Sequence, residues 1–158
     1  MKHLHYQVEN WFDCEEEMRW LYQLHWEEVA LNKEAIKLNL WYESYNQLAK
    51  NGELHIVTVR DDNRIVGYHW SIIKPHLHYS QSITAFTDVY FLHPEYRKGF
   101  NGINLFKFAE KTLKECGVQR IVTASKVNRE NNKKLDKSII FKKLGFIKAE
   151  TVYTKIIN

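Results

Sequence analysis

Hydrophobic and polar residues alternate along the chain with two different spacings, one typical of helices and one typical of strands. Helical patterns, with apolar residues spaced three and four apart along one side, cover residues 15–30, 40–50, 103–116 and 132–144. Alternating or short continuous apolar runs, which predict strands, cover residues 53–60, 64–73, 82–92, 119–127 and 146–156. Residues 1–10 mix polar and apolar positions and predict a further short strand.

Turn signals separate these elements and fix their order. Asn51-Gly52 ends the second helix, and Asp61-Asp62-Asn63 forms a hairpin turn between two strands. Pro75 ends the second strand of that hairpin, because proline has no N–H for the ladder. The order predicts a mixed α/β (α+β) fold with a twisted, mainly antiparallel sheet of six to seven strands and about four helices. Residues 1–158 form a single domain.

Composition narrows the classes of protein that fit. Two cysteines in 158 residues make no disulfide framework, and a net charge of +4 is too small to indicate nucleic-acid binding. The polar N-terminus lacks the apolar region of a signal peptide, and no apolar run approaches the roughly 20 residues of a membrane span. We therefore expect a cytoplasmic protein without a membrane partner. Exposed rings of Trp41, Tyr42 and Tyr45 would suit a homodimer contact.

A basic, glycine-bearing turn between a strand and a helix is the strongest local signal. The apolar strand that ends at Leu92 leads through His93-Pro94 into residues 97–102, and an amphipathic helix follows. The first N–H groups of a helix lack intrahelical acceptors, and the helix dipole favours negative charge there. Glycine also lets a ligand approach the main chain closely. This turn therefore suits a pyrophosphate, although a surface connection without a ligand fits the pattern as well.

Asp88, His76 and His78 are candidates for proton transfer. Asp88 lies four residues before Leu92, where it could take a proton from an amine, or it could be an outward-facing polar residue of the strand. His76 and His78 flank Leu77, so both rings point the same way if the segment is extended. They could orient a substrate or relay a proton, or they could belong to an ordinary surface turn. No third residue has metal-ligand spacing, so we expect no metal site.

Two motifs follow one another along the chain: Tyr-Arg-Lys-Gly-Phe-Asn-Gly at residues 96–102 and Phe-Lys-Lys-Leu-Gly-Phe at residues 141–146. The first resembles the acetyl-CoA-binding motif Arg/Gln-x-x-Gly-x-Gly/Ala, and the second the closing Tyr-x-x-Leu-Gly-Phe element, of the GNAT (GCN5-related) N-acetyltransferase family. The likeness spans residues 54–157. Short strings, residues 25–28 and 74–79 together with Asp88, resemble small GNAT proteins encoded by tailed bacteriophages, which would place the protein in the host cytoplasm.

The resemblance implies transfer of an acetyl group from acetyl-CoA to a primary amine by direct attack in a ternary complex. The acceptor would be an amine-bearing small molecule or protein. In the family, main-chain groups of the fourth strand hold the pantetheine arm and the glycine turn holds the pyrophosphate. The cofactor-binding residues implied are Phe91, Leu92, His93, Arg97, Lys98, Gly99, Phe100, Asn101, Gly102 and Asn132.

Two positions depart from the family pattern. Phe100 replaces the first motif glycine, and Phe141 replaces a tyrosine that protonates the departing CoA thiolate in many members. Tyr79 and Tyr90 are the candidate replacement donors, although a tyrosine in a chain this rich in rings is more often simply a core or rim aromatic. The departures leave one alternative open, a catalytically weak or degenerate acyl-CoA-binding protein that acts by binding a host protein. The positive charge and the surface aromatics leave another, a small basic module that binds a host protein or nucleic acid.

Overall fold

One five-stranded sheet organises residues 3–157, the part of the chain that the computed structural model describes. The strands are β1 (Leu4–Glu9), β2 (Leu54–Asp61), β3 (Arg64–His76), β4 (Tyr79–Leu92) and β5 (Arg120–Val122). The helices are α1 (Trp11–Val29), α2 (Tyr42–Lys50), α3 (Asn101–Glu115) and α4 (Ser138–Lys143), with a 3₁₀ turn at Pro94–Tyr96.

The strands lie in the order of the sequence, from β1 at one edge to β5 at the other. The pairs from β1 to β4 are antiparallel, and β5 runs parallel to β4 over three residue pairs. A parallel neighbour requires a crossover connection, and α3 supplies it. The prediction of a mainly antiparallel sheet flanked by four helices is therefore confirmed for the described residues.

The two faces of the sheet are covered by different helices. On one face, α1 buries Trp11, Cys14, Met18 and Leu21 against a core that includes Trp70. These four α1 positions are spaced three and four apart, so they share one side of the helix. On the other face, the core of valines and leucines is completed by α3. The N-terminus of α3 and the body of α1 and α2 consequently lie on opposite sides of β4.

Aromatic rings dominate the packing beneath α1 and α2. The Trp11 ring stacks on Tyr45 at 5.1 Å and meets the edge of Trp70 at 5.4 Å, while Tyr42 lies 6.4 Å from Trp11. The expectation that Tyr42 and Tyr45 are exposed is therefore wrong, because both rings pack against Trp11 and are half-buried. Trp41 is the exposed member of the predicted set, with 72% of its surface accessible.

The predicted count of six to seven strands is wrong for the described residues, which contain five. The strand predicted at residues 119–127 shortens to β5, because its chain leaves β4 after Val122. The strand predicted at residues 146–156 is irregular, since no neighbouring strand lies beyond β5 to pair with it. The helix predicted at residues 132–144 begins only at Ser138.

Pro75 does not end its strand. It faces Ile83 across the β3–β4 ladder, and β3 continues to His76, where the register shifts. Because a register shift leaves ladder positions open, a residue without an N–H is tolerated there. The long β3–β4 hairpin therefore extends beyond the predicted boundary and carries the two candidate histidines at its tip.

Candidate active site

The site begins where β4 and β5 separate. Their pairing ends at Phe86 and Val122, so the edge of β4 from Thr87 to Leu92 has no strand beside it in the described chain. Beyond that point the Tyr90 hydroxyl donates a hydrogen bond of 2.9 Å to the carbonyl of Ala124, on the chain that continues from β5. The opening thus exposes unpaired main-chain groups of β4 that an extended ligand could bind.

Asp88 occupies a β-bulge at the centre of this edge. Trp70 pairs with Val89 and Ser71 pairs with Thr87, which leaves Asp88 as the extra residue of β4. A bulge breaks the ladder locally and re-aims a side chain. Here it turns the exposed Asp88 carboxylate toward α2, where it accepts a hydrogen bond of 2.7 Å from the hydroxyl of Tyr45. Burial and the adjacent Asp88 both raise the pKa of Tyr45, so this phenol stays protonated and donates to the carboxylate.

The glycine turn delivers the N-terminus of α3 to the same end of β4. Gly99 has φ of +55°, a left-handed conformation that other residues adopt only with strain. The ring of Phe100 points outward with 71% of its surface accessible and does not cover the turn. A Cβ atom on Gly102 would meet nothing within 4 Å. Open space therefore adjoins the first N–H groups of α3, which suits a phosphate.

Asn101 holds this turn in place. Its side-chain amide donates to the carbonyl of Tyr96 at 2.9 Å, and its own carbonyl accepts the hydroxyl of Tyr6 at 3.1 Å. The first bond closes the turn on itself and the second ties it to β1. The side chain of Asn101 and its main-chain N–H, which donates to the carbonyl of Lys98 at 3.2 Å, are thus both engaged in building the turn.

Arg97 is engaged within the protein. Its guanidinium donates to both carboxylate oxygens of Glu28 at 2.8 and 2.6 Å, and its Nε donates to the carbonyl of Leu92 at 2.6 Å. Asn132 reaches the same end of α1, where its amide donates to the carbonyl of Glu28 at 3.4 Å. Beside it, Arg129 donates to the carbonyls of the last α1 turn. Two predicted cofactor residues therefore meet at the C-terminus of α1.

Tyr90 lies beside Phe141, the residue at the position where many GNAT-like sequences have a tyrosine. Its ring lies 5.9 Å from the ring of Phe141 and 5.0 Å from that of Phe106, both edge-on. Burial raises the pKa of Tyr90 to about 12, so its hydroxyl remains protonated at neutral pH. Phe141 itself is buried under the rings of Tyr90, Phe106 and Phe146. The one hydroxyl in this ring cluster belongs to Tyr90.

The three remaining candidates form a separate ring cluster at the β3–β4 hairpin. His76 lies 5.1 Å from Tyr79 and 5.3 Å from His78, whose N–H donates to His76 Nδ1 at 3.1 Å. The ring of Phe86, the last β4 residue that pairs with β5, stacks on His76 at 6.0 Å. The structure therefore brings Asp88 and Tyr90 to the split of the sheet and places His76, His78 and Tyr79 at its margin.

Sequence reasoning missed two partners of the site. Tyr45, expected at a dimer contact, is the donor to Asp88, and Glu28 is the partner of Arg97. These pairs are separated by 43 and 69 residues, so no local pattern connects them. Of the helices in residues 3–157, none is both long and apolar enough to cross a membrane.

Comparisons with known proteins agree with this architecture. The sequence profile of the Acetyltransferase (GNAT) family matches residues 6–146. Among curated proteins, no sequence matches the chain. Solved structures do match over nearly the whole length. One is a predicted acetyltransferase with acetyl-CoA from Clostridium acetobutylicum, with a TM-score of 0.69 and 14% identity over 98% of this chain and 96% of that one.

Two aminoglycoside acetyltransferases share the same architecture. AAC(6')-Iy, in complex with a bisubstrate analogue, has a TM-score of 0.69 and 14% identity over 99% of both chains. The enzyme meta-AAC0020 from an uncultured soil metagenomic sample, in complex with trehalose, has a TM-score of 0.68 and 13% identity over 98% of this chain and 95% of that one. At such identities the likeness establishes the fold, and the profile match over residues 6–146 establishes the family. The chain therefore belongs to the GNAT acetyltransferase family.

Proposed function

We propose that this protein is an N-acetyltransferase that transfers an acetyl group from acetyl-CoA to a primary amine by direct attack in a ternary complex. The observation that carries the proposal is the Asp88 bulge, which lies where β4 and β5 separate. Asp88 contacts Tyr45 of α2, on the face of the sheet that α1 and α2 cover. The glycine turn leads into α3, which covers the opposite face. Two substrates could therefore reach β4 from opposite faces.

The main chain supplies most of the donor site. The edge of β4 that faces the opening, near Phe91, Leu92 and His93, would pair with an extended amide-bearing arm, apart from the Leu92 carbonyl, which accepts from Arg97, and the His93 N–H, which donates to Val66. N–H groups in the turn from Gly99 to Gly102 would hold its diphosphate. Lys98, exposed in the same turn, adds positive charge. When bound, acetyl-CoA supplies an acetyl group activated as a thioester. These residues fit that molecule without requiring Arg97, which Glu28 already holds.

Asp88 would act on the amine. An amine attacks only in its neutral form, so a base must accept a proton from the ammonium or from the attacking nitrogen. The exposed Asp88 carboxylate can do this directly or through water, while the Tyr45 hydroxyl fixes its orientation. Because the bulge leaves Asp88 outside the β3–β4 ladder, main-chain groups beside it are also available to polarise an acyl carbonyl.

Tyr90 would serve the leaving group. Its protonated hydroxyl lies in the opening between β4 and β5 and could turn from Ala124 to donate a hydrogen bond to a developing thiolate. This assigns to Tyr90 the role that Phe141 cannot perform. His76, His78 and Tyr79, at the margin of the opening, would contact the acceptor and take no part in the proton transfers.

A thiol-release assay with acetyl-CoA and a panel of primary amines tests the proposal. We expect Asp88→Asn to lower turnover about 100-fold at neutral pH, the usual scale for a general base, with little change in acetyl-CoA affinity. Asp62→Asn is the matched control, since Asp62 lies in the β2–β3 turn at φ of +50°, which asparagine also adopts. Equal turnover of the Asp88→Asn and Asp62→Asn proteins would remove Asp88 from the mechanism.

One observation favours a second candidate function. Phe141 is buried among rings and its phenyl group has no proton to donate, and a protein that binds acyl-CoA without turnover would need no donor there. Such a protein would act through binding a host protein. Acetyl-CoA binding without thiol release from any amine would identify it. A cytoplasmic location, inside a bacterial host if the phage likeness holds, would supply acetyl-CoA to either form.

A further inference from the structure

An uncharged cleft of about 340 Å³ opens on the α2 side of the sheet, between α2, β3 and the segment that precedes α2. Its apolar surface comes from Leu38, Leu40, Trp41, Leu48 and Ile72, with the ring of Tyr45 at one side. None of the residues that line the cleft carries a formal charge. Clefts of roughly 300 Å³ and above accommodate small organic molecules, so this one has room for a single ring with a short side chain.

The cleft and the proposed base share one neighbouring residue, Tyr45. Tyr45 contributes its ring to the cleft wall, and the hydroxyl of the same side chain donates to Asp88 at 2.7 Å. An amine that approached Asp88 from the α2 side would therefore project its substituent past the Tyr45 ring into the cleft. The indole of Trp41, 72% accessible, offers an uncovered face for that substituent to pack on.

We propose that the acceptor is a primary amine with a flat apolar substituent, of the aryl-alkylamine class. The inference rests on the proposed acetyltransferase function and adds the chemistry of the acceptor. Apolar area transferred from water into such a cleft contributes roughly 25 cal/mol per Å². A polycation such as an aminoglycoside would have one carboxylate, Asp88, and no charged partner in the cleft for its other ammonium groups.

Equilibrium binding of phenethylamine, ethanolamine and kanamycin in the presence of CoA tests this assignment by calorimetry. We expect phenethylamine to bind at least tenfold more tightly than ethanolamine, and Trp41→Ala to remove most of that difference. Phe12→Ala is the control: it deletes an exposed ring on α1, away from the cleft, and should preserve the difference between the two amines. Equal binding of the two small amines, or tighter binding of kanamycin, would overturn the assignment. If the acetyltransferase function fails, the same binding order persists without thiol release.

Independently of the cleft, the chain after α4 exposes several apolar side chains. The N–H of Phe146 donates to the carbonyl of Phe141 at 2.9 Å, and beyond it residues 147–157 run without secondary structure. Four apolar side chains of this segment are 82–90% accessible: Ile147, Val152, Tyr153 and Ile157. β-Branched residues favour strands, and apolar side chains this exposed usually mark a contact surface. The segment is therefore typical of a strand that lacks its neighbour.

The matching surface is the open edge of β5. Within residues 3–157, β5 pairs with β4 along one side only, so its other side presents N–H and C=O groups that no strand of this part of the chain pairs with. Beside that edge lies a groove of about 510 Å³ between α3 and the end of α4, with Leu113, Val118 and Ile121 in its wall. An added strand would satisfy the edge and bury its apolar side chains in this groove.

We infer that residues 147–157 of one copy pair with β5 of a second copy, and that the exchange is reciprocal. Each chain carries both the segment 147–157, which pairs with no strand of the described residues, and the open edge of β5, so a reciprocal exchange is self-complementary about a twofold axis. Because residues 147–157 leave β5 of their own chain uncovered, the segment of a second copy can pair with it. The exchange would give each half of the dimer a sixth strand.

Light scattering after size exclusion measures the mass directly. For a chain of 19.0 kDa we expect a dimer of about twice that mass, and Val152→Asp should convert it to a monomer by placing a charge in the interface. Val127→Asp is the control, because Val127 is 73% accessible in a loop outside the segment. A monomeric native protein, or a dimer that survives Val152→Asp, would overturn the inference. A monomer whose residues 147–157 resist hydrogen exchange would show the segment docked on its own β5 instead.

Discussion

The Glu28 carboxylate binds both terminal nitrogens of Arg97, with distances of 2.8 and 2.6 Å. This bidentate pair joins the end of α1 to the turn that precedes α3. Paired in this way, the arginine contributes little net charge to a ligand in the turn. The anion site consequently depends on the main chain of residues 99–102, and Glu28 places a negative charge beside it.

Replacing Glu28 should therefore strengthen acetyl-CoA binding. Glu28→Gln removes the carboxylate and frees the Arg97 guanidinium for phosphate. We expect affinity to rise about fivefold, since two charges 4 Å apart in a water-like medium interact by about 1 kcal/mol. Isothermal titration of acetyl-CoA measures the change. Glu27→Gln is the control, as Glu27 is exposed and its carboxylate accepts from Gln23 on the same helix. Weaker binding by Glu28→Gln would contradict this view of the pair.

The Tyr90 hydroxyl is expected to contribute to turnover and not to affinity. Tyr90→Phe keeps the ring in contact with Phe106 and Phe141 but removes the donor. We expect the rate of thiol release to fall about 100-fold, within the usual range for a lost proton donor. Tyr153→Phe, in the exposed terminal segment, should leave the rate unchanged. Comparable losses in both variants would assign the donor elsewhere.

Local sequence patterns predicted the helices that pack against the sheet. They failed where a strand's length or register depends on residues far away in the sequence. The spacing of Met18, Leu21, Tyr22 and His25 in the helix predicted at residues 15–30 is a local signal, as is the glycine turn before α3, and the structure follows both, although α1 begins earlier than predicted, at Trp11. The extent of β5 depends on where β4 diverges, which no residue of β5 encodes. The bulge at Asp88 likewise depends on the register with β3.

Two glycines three residues apart should respond oppositely to alanine. Gly99→Ala forces a side chain into φ of +55° and should lower the free energy of unfolding by about 1 kcal/mol. Gly102 is helical and its Cβ position is open, so Gly102→Ala should raise that free energy by up to about 1 kcal/mol. Urea titration measures both. Stabilisation by Gly99→Ala would show that the turn has a different backbone conformation.

Stability should fall below neutral pH because of buried histidines. Burial lowers the pKa of His55 to about 4 and that of His69 to about 3, whereas an unfolded histidine titrates near 6.5. The unfolded chain therefore binds more protons as pH falls from 6.5 toward 4. Each histidine then lowers the free energy of unfolding by about 1.4 kcal/mol per pH unit.

Replacing His55 isolates its share of this pH dependence. Both of its ring nitrogens are buried and without a hydrogen-bond partner among the described residues, so His55→Leu should fold and show a shallower slope. Urea titrations at pH 7, 6 and 5 compare the slopes. Val57→Ala, on the same strand, should lower stability equally at each pH. An unchanged slope in His55→Leu would place the pH dependence in other groups.

Calorimetric titration of acetyl-CoA into Gly102→Glu is the sharpest test of whether main-chain N–H groups in the turn of residues 99–102 bind the diphosphate. A carboxylate in the first turn favours the helix, so the variant should remain folded while its charge repels the ligand. We predict at least a tenfold loss of affinity. Gln81→Glu, at an exposed position early in β4, should bind as tightly as the native protein. Equal affinity of the Gly102→Glu and native proteins would contradict the account.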